Sequence, residues 1–96
     1  MKPKFQLGEV LTSVAAFLAL EKSGQTPEFF LEKHVQGDWG TVDDEDKRAN
    51  DQAVVDGSRI LSAYQTLLGV KIWIITEAAD DEGKRAATTI ITPSEY

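Results

Sequence analysis

The chain contains no cysteine. That excludes a disulfide framework, a thiolate nucleophile and a cysteine-based zinc site. Histidine occurs once, at His34. Basic residues are sparse: ten Lys and Arg stand against sixteen Asp and Glu, a net charge of −6. The only adjacent basic pairs are Lys47-Arg48 and Lys84-Arg85. Nucleic-acid binding by counterion release needs clustered Lys and Arg, so no direct nucleic-acid partner is expected. Long apolar runs are missing too. The longest, Val14 to Leu20, is far too short to cross a bilayer. The opening MKPKFQLGEV does not read as a signal peptide. The expectation is a soluble cytoplasmic protein without a membrane partner. Phosphate loops, dinucleotide fingerprints and nucleophile elbows are all absent, and no cofactor is expected.

What remains is ordinary for one small domain, residues 1–96. Hydrophobic residues make up 42% and charged residues 27%. The organising stretch runs from Phe29 to Asn50. It holds the single His, the first of two Trp and the densest acid cluster. It also joins a helical first half to a strand-rich second half.

Taken in order, residues 1–4 read as a frayed end. Phe5–Leu7 reads as a short edge strand ended by Gly8. Thr12 reads as the cap of a helix over Ser13–Lys22, with Ala16, Phe17 and Leu20 on its inner face. Thr26-Pro27 opens a second helix, with Phe30, Leu31 and Val35 inward. Gly37 stops it. Glycines on both sides of Trp39 imply a sharply turned backbone that inserts one large ring. A third helix is expected from Val42 to Asp56, capped by Thr41, with Asp43, Asp44 and Glu45 favourable at its positive end.

After Gly57 the hydrophobic period changes from about 3.6 to 2. Ser58–Thr66, Val70–Glu77 and Lys84–Thr92 read as three strands joined by short connections. Pro93 opens at most one helical turn. The predicted fold is α+β: three N-terminal helices packed on a three-stranded antiparallel meander, with Phe5–Leu7 as a candidate extra edge strand.

One constellation invites chemistry. The inward stripe of the third helix passes through Asp46 and Asn50, one turn apart, with His34 and the GDWG turn as expected neighbours. One reading is structural: Asp46 and Asn50 hold the turn by bonding backbone N–H groups, and a charged His34 meets the negative end of its helix. The other is a polar pocket of His34, Asp38, Asp46 and Asn50 floored by Trp39, in which Asp46 orients His34 as a general base. Metal binding is not expected. The acids at 43–46 and 80–82 lack the alternating spacing of a calcium loop. Trp73 is a second anomaly. Trp73 and Ile75 share one strand face while Ile72 and Ile74 share the other, so both faces are apolar. Cover by the N-terminal segment, a partner or a second copy would each account for that.

His34-Val-Gln-Gly-Asp-Trp-Gly40, Asp46, Asn50, Ile74-Ile-Thr-Glu-Ala78, Thr88-Thr89 and Pro93-Ser-Glu-Tyr96 resemble a family of short bacterial proteins of plasmids, prophages and integrated elements. The resemblance spans the chain from about Phe5 onward and departs in the 78–87 loop. Members are often labelled plasmid-related protein or restriction endonuclease subunit. It implies a mobile-element setting and supplies no catalytic residues.

Together these readings point to a non-enzymatic accessory protein that binds another protein, such as a host-defence nuclease. Its surface would be Asp38 and Trp39 with Asp43 and Asp44, or the Trp73 face. A small hydrolase or ribonuclease-like toxin using His34 and Asp46 is the alternative, although no basic groove is evident. A homodimer joined through the Trp73 face is the third reading.

Overall fold

A computed structural model describes residues 2–96. The elements run β1 (Glu9–Thr12), α1 (Val14–Ser23), α2 (Pro27–Val35), α3 (Asp44–Asp56), β2 (Ile60–Gln65), β3 (Lys71–Thr76) and β4 (Ala87–Ile91), followed by a single 3-10 turn at Pro93–Glu95. The fold is α+β. The four strands form one sheet in the order β1-β4-β3-β2. β2, β3 and β4 make the expected antiparallel meander. β1 lies parallel to β4, so the sheet is mixed. No helix among the described residues is long and apolar enough to cross a membrane.

Strand alternation puts Ile60, Ser62, Tyr64, Ile72, Ile74, Thr76, Thr88 and Ile90 on one buried face, against the helices. Two apolar clusters form there. One joins Ala16, Leu20 and Phe30 to Tyr64, Ile72, Ile74 and Ile90. The other joins Phe5, Trp39 and Ala53 to Ile60.

The N-terminal strand is not Phe5–Leu7. Phe5 is buried, stacked on Trp39 at 6.1 Å and edge-on to His34 at 5.1 Å. Its ring is worth more in the core than in a ladder, and the strand falls to Glu9–Thr12 after Gly8. Met1 lies outside the described residues. The rest of the expected frayed end is tied by Lys4, whose N–H donates to the Val35 carbonyl at 2.7 Å. With Thr12 inside β1, the helix cap passes to Ser13, whose hydroxyl accepts from the Ala16 N–H at 3.1 Å. α1 also sits rotated from expectation. It buries Ala16, Ala19 and Leu20 and turns Phe17 outward with Val14 and Leu18.

Thr26 and Pro27 open α2 as read. α3 begins two residues late, capped by Asp43. Thr41 does not cap it, because its N–H and its hydroxyl both donate to the Ala63 carbonyl, at 2.7 and 3.3 Å. The open sheet face is covered differently as well. The C-terminal turn, not the N-terminal segment, lies over it, with Tyr96 edge-on to Trp73 at 5.4 Å and the Arg59 guanidinium 5.7 Å from the Tyr96 ring.

The GDWG turn is built on its second glycine. Gly40 has φ 74°, and a Cβ there would fall 1.8 Å from the Ala63 carbonyl oxygen. Gly24 has φ 70° with nothing within 4 Å. The two therefore separate backbone strain from collision. Gly24→Ala should cost about 1 kcal/mol and Gly40→Ala about 3 kcal/mol or more in urea denaturation. Equal costs would contradict the close approach of this turn to β2.

Candidate functional site

His34 sits in the last turn of α2 and is fully buried. The helix points its ring at the sheet. Nδ1 lies 2.5 Å from Ser62 Oγ on β2. Nε2 lies 2.9 Å from Thr76 Oγ1 on β3. Thr76 Oγ1 is 2.8 Å from Thr88 Oγ1 on β4, and Thr88 donates to the Leu7 carbonyl at 2.7 Å. The direction of this relay follows from its end. Each hydroxyl has one proton to give. Thr88 spends its proton on Leu7, so it accepts from Thr76. Thr76 has then spent its own, so it accepts from His34. The imidazole is therefore the neutral Nε2–H tautomer, and Ser62 donates to Nδ1.

Charge is disfavoured at this ring for two reasons. Burial removes the water that would solvate an imidazolium, and the Arg85 guanidinium adds repulsion. Together they push the His34 pKa down to about 3. A base with no exposure and both nitrogens committed cannot take a proton from a substrate.

The pocket expected around His34 does not form. Asp46 is exposed, does not touch His34, and contributes its backbone N–H to the Asp43 carboxylate at 2.8 Å. Asn50 is buried, but it serves the sheet and not the turn. Its Nδ2 donates to the Leu61 carbonyl at 2.8 Å, and its Oδ1 accepts from the Leu61 N–H at 3.2 Å. The side-chain amide thus imitates one residue of a neighbouring strand. Asp38 shapes the turn by accepting from the Gly40 N–H, and its carboxylate lies 3.7 Å from Lys33 Nζ.

Trp39 is 3% exposed and donates to Asp51 at 2.9 Å, so it offers no ring to a partner. Asp43 caps α3, and Asp44 follows in its first turn, where the helix end favours negative charge. Trp73 is half-buried under Tyr96.

The relay hydroxyls were open to sequence reading. Ser62, Thr76 and Thr88 interrupt alternating apolar stripes on three strands, in the same manner as Asn50 on its helix. Arg85 gives no such signal. It is 7% exposed, and its guanidinium donates to the carbonyls of Ser58, Glu77 and Ala53 at 2.8, 3.0 and 3.0 Å. Arg85 also lines an open cavity of about 460 Å³ with Lys4, Phe5, Asp56, Asp80 and Asp81. Its donors point inward to carbonyls, one of them in the last turn of α3, so its charge holds the fold. Among the described residues no three His, Asp or Glu side chains converge in a metal-binding group.

No protein-family model, curated protein or solved structure matches the chain. Apolar side chains are also exposed on one helix face and the strand before it. α1 exposes Val14, Phe17 and Leu18 at 75%, 50% and 45%, and β1, directly before it, exposes Val10 and Leu11.

Unfolded, the imidazole titrates at its ordinary 6.5; folded, it titrates only near 3. Below pH 6.5 the unfolded chain takes up a proton that the folded chain does not. Stability from this source is complete above pH 6.5 and is lost as pH falls towards 3. The loss should be about 1 kcal/mol per pH unit between pH 6 and 5. It should disappear in His34→Gln, since no other His is present. Urea midpoints across that range check it, and an unchanged slope in the variant would contradict it. Asn50→Asp keeps the acceptor but aims a carboxylate at the Leu61 carbonyl, and should cost about 2 kcal/mol at pH 7. A neutral outcome would contradict the strand-mimic role.

Proposed function

We propose that this chain is a non-enzymatic accessory protein that acts by binding another protein. The observation that carries the reading is the outer face of α1. A helix already packed through Ala16, Ala19 and Leu20 needs no further apolar residues, yet it presents Val14, Phe17 and Leu18 to solvent. Contiguous exposed apolar side chains of this size are characteristic of interaction surfaces. Of the two surfaces read from the sequence, the acids of α3 with the Trp39 turn have their aromatic anchor sealed in the core, and the Trp73 face lies under Tyr96.

The setting suggested by the sequence motifs is a plasmid, prophage or integrated element in the bacterial cytoplasm. A host-defence nuclease is a target class consistent with that setting. The hydrolase alternative rests on His34 and Asp46, and the sealed, neutral imidazole argues against it.

The test is capture from host lysate by the tagged protein beside Phe17→Asp and Leu18→Asp, with folding checked by circular dichroism. A partner held by the α1 face should be recovered about tenfold less, or worse, by either folded variant. Capture that is indifferent to both, or no capture at all, would overturn the reading.

A further inference from the structure

The two edges of the sheet are finished differently. At β2 the outward backbone groups of Leu61 and Ala63 are covered. Asn50 takes both groups of Leu61, while the Thr41 N–H and the Trp39 carbonyl close on Ala63 at 2.7 and 3.2 Å. At β1 the Glu9 and Ser13 N–H groups donate inward to Ala86 and Ile90 at 3.1 and 2.9 Å. Ladder alternation turns Leu11 inward as well. Val10 and Thr12 therefore aim their N–H and C=O groups outward, and no group of the described residues meets them. Natural sheets blunt such an edge with Lys, Pro, a bulge or a covering segment. β1 has no Lys, Pro, bulge or covering segment; it is four residues long, carries one charge at Glu9, and all four of its residues are exposed.

The geometry points to β1 as a self-pairing edge: two copies of this chain join β1 to β1, antiparallel, about a two-fold axis at Leu11, into one continuous sheet twice as wide. This goes beyond the binding reading and stands without it.

The edge is complementary to itself. With Val10 opposite the partner copy's Thr12, each pair exchanges both N–H···O=C bonds, and every outward group is used. The faces agree as well. Val10 and Thr12 register with Thr88 and Ile90, on the helix-covered side. A two-fold perpendicular to the sheet keeps that side common to both copies. Leu11, 46% exposed on the opposite face, meets its own counterpart.

The charge distribution favours a second copy over a foreign strand. From Val10 to Leu20 there is no Asp, Glu, Lys or Arg. Asp43, Asp44, Glu45 and Asp46 open α3, which serves β2 at the far edge. Two chains of net charge −6 can thus meet along Val10–Thr12 with their α3 acid clusters apart, the carboxylates at this edge being Glu9, opposite the partner copy's Ser13, and Glu95, which accepts from the Ser13 hydroxyl. A basic segment from another protein would be drawn to the α3 edge, where the outward backbone of Leu61 and Ala63 is already satisfied.

A chain without cysteine allows a register-specific test. Non-hydrogen-bonded antiparallel partners have Cα atoms about 4.5 Å apart, within disulfide reach. Leu11→Cys should cross-link to its counterpart on mild oxidation, whereas Val10→Cys, facing Thr12, should not. Light scattering of the unmodified chain should rise with concentration towards twice the 10.6 kDa chain mass. Thr12→Pro removes an outward N–H that the folded chain does not use, and should return the mass to monomer. Leu11→Lys, at an exposed position, should do the same through like charge at the axis. A strict monomer at the highest concentration, a dimer unaffected by either folded variant, or equal cross-linking at both positions would overturn the proposal. A foreign strand on this edge would give the first of these results and leave capture by the α1 face untouched.

Discussion

The structure depends on a row of hydrogen bonds that crosses its core. Ser62, His34, Thr76, Thr88 and the Leu7 carbonyl link α2, three strands and the N-terminal segment in a single line. Two apolar clusters lie on either side of it. An apolar side chain at position 34 could fill the same volume, but it would leave the buried Ser62 hydroxyl without its acceptor and Thr76 without its donor. An unpaired buried polar group costs about 1–3 kcal/mol, so the relay stands or falls as a unit. It also sets register. A strand slipped by one residue would carry its hydroxyl to the other face and break the line.

The same demand explains the fold's other polar side chains. No buried side-chain nitrogen or oxygen among the described residues lacks a partner. Asn50 closes the β2 edge as a surrogate strand. Arg85 gathers carbonyls from α3, the residue after β3 and the segment before β2 under the ring of Phe5. Tyr64 donates to the Asp38 carbonyl and fastens the GDWG turn to the sheet. His34, Asp38, Asn50 and Trp39, which resemble the parts of a pocket, are fasteners turned inward. That leaves β1 and the outer face of α1 as the surface where apolar groups and free backbone coincide.

The sequence carried most of the fold because periodicity and caps are local. The shift from helical to alternating spacing located the meander, Thr26-Pro27 located α2, and the paired glycines announced the inserted Trp39. What it missed was decided at long range. A parallel partner on β4 moved the first strand from Phe5–Leu7 to Glu9–Thr12. That move displaced the cap from Thr12 to Ser13 and reset which face of α1 is buried. Contact between Thr41 and Ala63 delayed α3. At the candidate site Asn50 is the polar residue of an inward stripe that finds its partner, whereas Asp46 lies on the exposed side of the same helix. His34 was set beside the wrong neighbours, because the hydroxyls that bind it lie on strands far away in sequence.

His34 is a neutral, sealed structural element on which both clusters close. Nitrogen-15 NMR of its ring across a pH series tests that most directly. The ring should show one protonated nitrogen, Nε2, one unprotonated nitrogen, Nδ1, and shifts that hold constant from neutral pH down to the onset of acid unfolding. A ring that titrates near its ordinary 6.5 while the protein stays folded, or that populates both tautomers, would contradict it.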